Sequence, residues 1–200
     1  MKWLEWMRTL ATVSKAGLAY SRDPFDRERY QQLEALCADI VATHSGSDVA
    51  QVSGMLELEK GYPTPKVDVR AVVFQGGKVL MVRESSDGKW ALPGGWADLG
   101  LSPGQVAVKE VREEAGYVVR PVKLLEVFGI HPHPTLFSVY KMLIRCELEG
   151  GEATTSVETT EVGWFARDAL PELSERRTRP VHLEKVFAHF DDPARATGFD

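Results

Sequence analysis

The chain has 200 residues and a mass of 22.2 kDa, room for one substantial domain and a smaller one, and its 44% hydrophobic content is that of an ordinary globular protein. Lys and Arg total 24 against 29 Asp and Glu, giving a formal net charge of -5 and a pI near 5.6, so neither bulk nucleic acid nor an anionic membrane is an expected partner. A phosphate-bearing substrate would need local cations, and a bound metal is the simplest source.

The opening MKWLEWMRTLATVSKAGLAY is apolar, but Glu5, Arg8 and Lys15 interrupt any signal-peptide core, and no apolar run reaches membrane-spanning length. The sequence therefore predicts a cytoplasmic protein. Trp3, Leu4, Met7 and Leu10, then Tyr30, Leu33, Leu36, Cys37, Ile40 and Val41, recur at helical spacing and predict two amphipathic helices within residues 1–44. Asp23-Pro24 supplies an N-cap and a first-turn proline for the second, and Gly46 in HSGSD ends it. GYPTP at 61–65 marks a linker, so the expected division is a small N-terminal helical domain, 1–60, and a main domain, 61–200. Self-association into a homodimer, or packing on the main domain, is the expected use of the apolar stripes in the first.

Past the linker, VDVRAVVFQ and KVLMVRE flank Gly76-Gly77, a hairpin pattern. ALPGG follows, and Gly94 and Gly95 would let backbone approach a ligand closely. Ser102, Pro103 and Gln105 form an N-cap, a first-turn proline and a capping box for a helix over 102–115, which Gly116 ends. Strand-rich stretches at 117–130 and 136–149 are separated by IHPHPT. Leu183, Val186, Phe187 and Phe190 give a last amphipathic helix, and the tail DDPARATGFD is expected to fray. Intermingled strands and helices predict a layered α/β or α+β fold. Cys37 and Cys146 have no partner at metal spacing and read as buried thiols.

The helix at 102–115 carries Glu110, Glu113 and Glu114 within five positions, where residues three and four apart are neighbours about 5–6 Å apart at Cβ. Two unit charges at that separation repel by roughly 3 kcal/mol at an effective dielectric near 20. Solvent, neighbouring cations, raised pKa values or a bound divalent ion would each relieve it. Taken alone, KEVREE reads as a solvated helix face bridged by Lys109 and Arg112. With ALPGG in front of it, the same helix reads as a cradle for a magnesium-bound diphosphate.

The segment Gly95-x5-Leu101-x7-Lys109-Glu110-Val111-x-Glu113-Glu114-x-Gly116-Tyr117, 23 residues long, resembles the signature of the Nudix hydrolases, with its spacing intact. The helical start, YPTPKVDVRAVVF, GKWALPGGWAD and GGEATTSVETTEVGWF extend the likeness over nearly the whole chain, to the subgroup with a dedicated N-terminal domain. The resemblance implies a mixed β-sheet between helices. It also implies a Mg2+- or Mn2+-dependent pyrophosphatase that splits a nucleoside diphosphate conjugate, such as ADP-ribose or CDP-choline, into a nucleoside monophosphate and a phosphorylated partner. Two positions depart: Leu101 stands where the signature has Glu, and Lys109 where it has Arg. Because that pair supports the loop in the family, a catalytically weak or inactive nucleotide-binding regulator is the competing reading.

The implied roles follow residue by residue. Glu110, Glu113 and Glu114 are the expected metal ligands, with Glu110 also a candidate base. Glu158 is the expected further carboxylate, and Glu161 its rival. Backbone at Gly94 and Gly95, with Arg70 and Arg83 from the paired strands, is expected to meet phosphate, while strand-surface pairing is the competing reading for both arginines. His131 and His133 are not expected to bind a metal that prefers oxygen. Pro132 and Pro134 fall where a proline accompanies ADP-ribose preference in the family. Trp90, Trp96, Phe137 and Trp164 are either stacking surfaces for a base or core.

Overall fold

The computed structural model describes residues 2–57, 61–130 and 138–200. His131, Pro132, His133, Pro134 and Phe137 lie outside the described residues. The chain forms two compact units, Met1–Thr64 and Pro65–Asp200.

The first unit holds α1 (Lys2–Tyr20), α2 (Pro24–Ser45) and α3 (Val49–Glu57). The Asp23 carboxylate accepts the Phe25 and Asp26 N–H groups at 2.9 and 3.0 Å, capping α2 as its sequence predicts. The third helix was not expected. HSGSD both ends α2 and starts α3, because Asp48 Oδ1 accepts from Ala50 and Gln51 at 2.8 and 3.3 Å while Val52 and Leu56 bury the inner face. Gly17 of α1 lies flat on the Tyr30 ring of α2, where a methyl group would overlap it.

In the second unit, β1 (Lys66–Gln75) and β2 (Lys78–Glu84) are joined by Gly76 and Gly77 at φ of 57° and 76°, the two positive values a tight hairpin turn requires. Next come β3 (Trp90–Ala91), β4 (Gly94–Trp96), α4 (Pro103–Ala115), β5 (Tyr117–Ile130), β6 (Val139–Gly151), β7 (Thr159–Phe165), α5 (Pro180–Asp191) and β8 (Gly198–Phe199). The sheet runs β3-β2-β1-β6-β5-β8, with β4 also on β1 and β7 also on β2. It is mixed: β1 and β6 are parallel, while β5 pairs β6 and β2 pairs β7 antiparallel. Val69, Ala71 and Val73 pack on Val106, Ala107, Val111 and Ala115 of α4. Val72, Met81, Leu125 and Leu143 pack with Leu183, Val186 and Phe187 of α5. The expected mixed sheet between helices is therefore what forms, each helix burying the apolar stripe its periodicity announces.

The tail does not fray. Gly198 and Phe199 add β8 parallel to β5, Thr197 Oγ1 donates to the Leu124 carbonyl at 2.6 Å, and the Gly129 N–H donates to Asp200 Oδ1 at 2.8 Å. Cys37 and Cys146 are free and buried, and burial pushes the Cys146 thiol up to about 12. Among the described residues no helix is long and apolar enough to cross a membrane.

Candidate active-site cleft

A cleft of about 670 Å³ opens between β1, β4, β6 and α4. Alternate residues of a strand share a face, so Asp68 and Arg70 both turn towards it, and the strand register sets Asp68 beside Lys141 of β6 and Trp96 of β4. One carboxylate here holds two cations. Arg70 Nε and Nη2 donate to Asp68 Oδ1 and Oδ2 at 3.0 and 2.9 Å, and Lys141 Nζ donates to Oδ1 at 2.7 Å. Burial by itself would raise the Asp68 carboxyl, but Arg70 and Lys141 hold it below the usual carboxylate range. For Lys141, burial and the charge of Arg70 act together and lower it to about 8.

The α4 wall supplies Glu110 and Glu114, four residues apart and both buried. The Gly94 N–H donates to Glu114 Oε2 at 2.8 Å. Gly94 sits at φ 145°, and a side chain there would run into the Val69 carbonyl and the backbone of Arg70. Its glycine is thus demanded by the close approach of β4 to β1, and its N–H is spent on a carboxylate rather than held free for a ligand. Gly95 leaves room for the Glu110 carboxylate, which a Cβ would approach to 3.3 Å. Burial raises Glu110, and pushes Glu114 up to about 8 against the Gly94 N–H and Arg70.

Glu113 goes elsewhere. Its side chain is 57% exposed, it does not line the cleft, and it stands 3.2 Å from Lys109 Nζ. The three glutamates do not share one face as expected: two enter the cleft and the third is relieved by a lysine. Lys109 also reaches Asp98 at 3.0 Å, and hydrogen bonds to Asp98 and Glu113 raise its pKa. Lys109 keeps an acidic partner on the same loop, three residues before Leu101.

Across the cleft stand Glu84 at the end of β2, Glu158 before β7, Asp87 and Arg177. Glu84 Oε1 is buried without a hydrogen bond, although Arg177 Nε lies 3.0 Å away, and burial raises its pKa. The Glu158 carboxylate has no ion pair among the described residues. Arg83 is not brought to the cleft: Nη1 meets Glu161 Oε1 at 2.5 Å and Nε donates to the Gly88 carbonyl at 2.7 Å. Arg83 thus makes the surface pairing that was its competing reading, with Glu161 of β7 as its partner, whereas Arg70 is buried in the cleft floor. Of the described tryptophans flagged from the sequence, Trp90 packs edge-on to Phe165 and Trp164 to Tyr117, whereas Trp96 is 57% exposed and lines the cleft. Sequence reasoning missed Asp68, Glu84, Lys141 and Arg177. The available signal was a charged residue at alternate positions of an otherwise apolar strand, as in VDVRAVV.

The donors suit a hard divalent cation: buried carboxylate oxygens on α4, and across from them the buried Glu84 carboxylate, whose Oε1 is ion-paired with Arg177 but accepts no hydrogen bond. Among the described residues no three His, Cys, Asp or Glu side chains stand at binding distance from one another, so the cleft offers donors rather than a finished cage.

Comparison with known proteins gives two family matches, the NUDIX domain over residues 64–188 and the "UDP-X-like, N-terminal oligomerisation domain" over 1–56. A Bacillus subtilis protein, YjhB, provisionally named an ADP-ribose pyrophosphatase, is 42% identical over 202 aligned residues, covering 100% of this chain and 97% of its own. The crystal structure of a UDP-X diphosphatase matches with a TM-score of 0.65 at 30% identity, over 100% of this chain and 98% of the other. An ADP-ribose pyrophosphatase from Streptococcus suis matches with a TM-score of 0.62 at 37% identity, over 68% of this chain and all of its own.

Proposed function

The chain belongs to the Nudix family, and on that premise we propose that it hydrolyses the diphosphate bridge of a nucleoside diphosphate linked to a second moiety, releasing a nucleoside monophosphate and a phosphorylated partner. The observation that carries this reading is the pair of buried carboxylates, Glu110 and Glu114, on one helix facing a cleft whose floor holds Arg70 and Lys141. An acidic wall suits a cation and a basic floor suits phosphate.

Mg2+ or Mn2+ would be held by Glu110 and Glu114, with Glu113 at the outer edge of the helix and Glu158 across the cleft as further carboxylates. A bound ion of this kind supplies positive charge against the phosphates of the bridge. The chain's own groups do the rest. Gly94 N–H fixes one oxygen of Glu114 and so sets the direction of the other. Arg70, locked by both Asp68 oxygens and the Leu92 carbonyl, is a preorganised charge on the floor. Water attacks one phosphorus, the bond from that phosphorus to the bridging oxygen breaks, and the bridging oxygen leaves with the other half. We assign the water's proton to Glu158, whose carboxylate lines the cleft without an ion pair among the described residues.

The named relatives point to ADP-ribose and UDP-linked compounds, and CDP-choline belongs to the same chemical class. A panel of these, read as phosphate released after phosphatase coupling, tests the reading: turnover of at least one in Mg2+ or Mn2+ is expected, and no product from any would refute it. The N-terminal match and the exposed side chains of Trp6, Leu10 and Val13, at helical spacing on α1, support a homodimer built through the first unit. Two free buried thiols fit a reducing cytoplasm.

A further inference from the structure

We propose that Lys141 binds the phosphate on the nucleoside side of the bridge, and that the end of the cleft formed by Trp96, Ile130 and Val139 takes the base. This rests on the hydrolase reading above and assigns the two halves of the substrate to the two ends of the cleft.

The cations of the cleft are not equally available. Arg70 commits Nε, Nη1 and Nη2 to Asp68 and the Leu92 carbonyl. Arg177 is committed to Ser86, Ser174, Glu84 and Asp87. Arg176 lies exposed in solvent, where screening leaves a contact little strength. Lys141 differs from all of these. An ammonium has three N–H donors, and only one acceptor, Asp68 Oδ1, meets it among the described residues. Its side chain is 3% exposed yet lines the cleft, and its one counter-charge is shared with Arg70. A buried ammonium with unsatisfied donors costs free energy until an anion reaches it. A phosphate oxygen is the anion this substrate brings.

The strand register gives the direction. Arg70 pairs with Gly94, whose N–H holds Glu114, so this row marks the acidic end. Two residues along β1, about 7 Å away at strand spacing, Asp68 pairs with both Lys141 and Trp96. Two further on, Lys66 pairs with Val139, which faces Ile130 of β5. Moving along the strands, the cleft therefore passes from carboxylates, to a row that holds both the Lys141 ammonium and the Trp96 indole on either side of Asp68, to the two aliphatic side chains of Val139 and Ile130. A diphosphate lying across the first two rows leaves its flat, apolar base over the third. The exposed indole of Trp96 supplies a face for stacking.

The test uses the full chain without divalent ion. Calorimetry measures binding of AMP and UMP and of the matching nucleosides to wild type, Lys141→Met, Lys141→Arg and Trp96→Ala. Wild type should bind the monophosphates at least tenfold tighter than the nucleosides. Lys141→Met should bind both alike, Lys141→Arg should recover part of the difference, and Trp96→Ala should weaken both by a similar factor. With substrate and metal, Lys141→Met should raise KM far more than it lowers kcat. Melting curves identify a variant that fails to fold, and Lys141→Arg, which keeps the Asp68 partner charged, then carries the test. The assignment is overturned if Lys141→Met keeps the wild-type preference for monophosphate, or if wild type shows none. A wild-type protein that turns over no conjugate at all refutes the hydrolase reading instead, so the two failures are distinguishable.

Discussion

At Glu114 burial and charge conflict: burial pushes it up to about 8, while its neighbour Glu110 is raised in the same wall. Glu114→Gln keeps the shape and an oxygen for the Gly94 N–H but cannot ionise to face a cation. Turnover should fall by about 10²- to 10⁴-fold with no loss of melting temperature, whereas Glu113→Gln, on the exposed side, should cost far less. Equal losses for the two would contradict the division of labour between them. His182 offers a test away from the cleft. Burial, with Lys141 and Arg179, lowers it to about 4, and its Nδ1 accepts the Arg179 N–H at 3.1 Å. The unfolded chain takes up this proton near pH 6.5 and the folded one only near 4, so more protons bind to the unfolded state between those values. Stability should drop as pH falls through that window, and urea melts of His182→Asn should show a shallower slope there. At this scale the sequence announced Glu110 and Glu114 by spacing. It concealed Lys141 and Glu84, which read like the other charges of their strands, and whose burial only the assembled sheet reveals.

The elements that place these residues were legible where local chemistry decides them. Ser102 and Gln105 bond reciprocally at 2.8 and 3.3 Å, and Gly76-Gly77 turns as its glycines require. Where tertiary contact decides, reading failed. The tail gains its strand only from β5, and β4 is held by a glycine whose partner is the β1 backbone. Gly94→Ala should therefore destabilise the fold by at least 1–3 kcal/mol, the cost of a glycine-only backbone conformation, with the overlap at the Val69 carbonyl added to it. Urea denaturation measures this directly. An unchanged midpoint would mean that β4 can move off β1 without loss.

For the molecule as a whole, composition gave no reason to expect nucleic-acid or membrane partners, and no measure of how the first unit is used. Its inner face is filled by Leu4 and Met7 of α1 with Cys37 and Val41 of α2, while Trp6, Leu10 and Val13 are left outside. Trp6→Glu with Leu10→Glu should shift the full chain from dimer to monomer in light scattering, and a wild type that is monomeric at micromolar concentration would contradict that use of α1. We attribute the opening of the diphosphate to two buried carboxylates on α4 acting with a divalent ion, and this role carries the rest. It is tested most directly by following ADP-ribose or a UDP- or CDP-linked conjugate by phosphorus NMR, with wild type and with the folded double variant Glu110→Gln, Glu114→Gln, in Mg2+, in Mn2+ and after chelation. Two monophosphate signals should replace the diphosphate pair only for wild type with an ion present. The same signals from the double variant or the chelated protein, at the wild-type rate, would contradict the account.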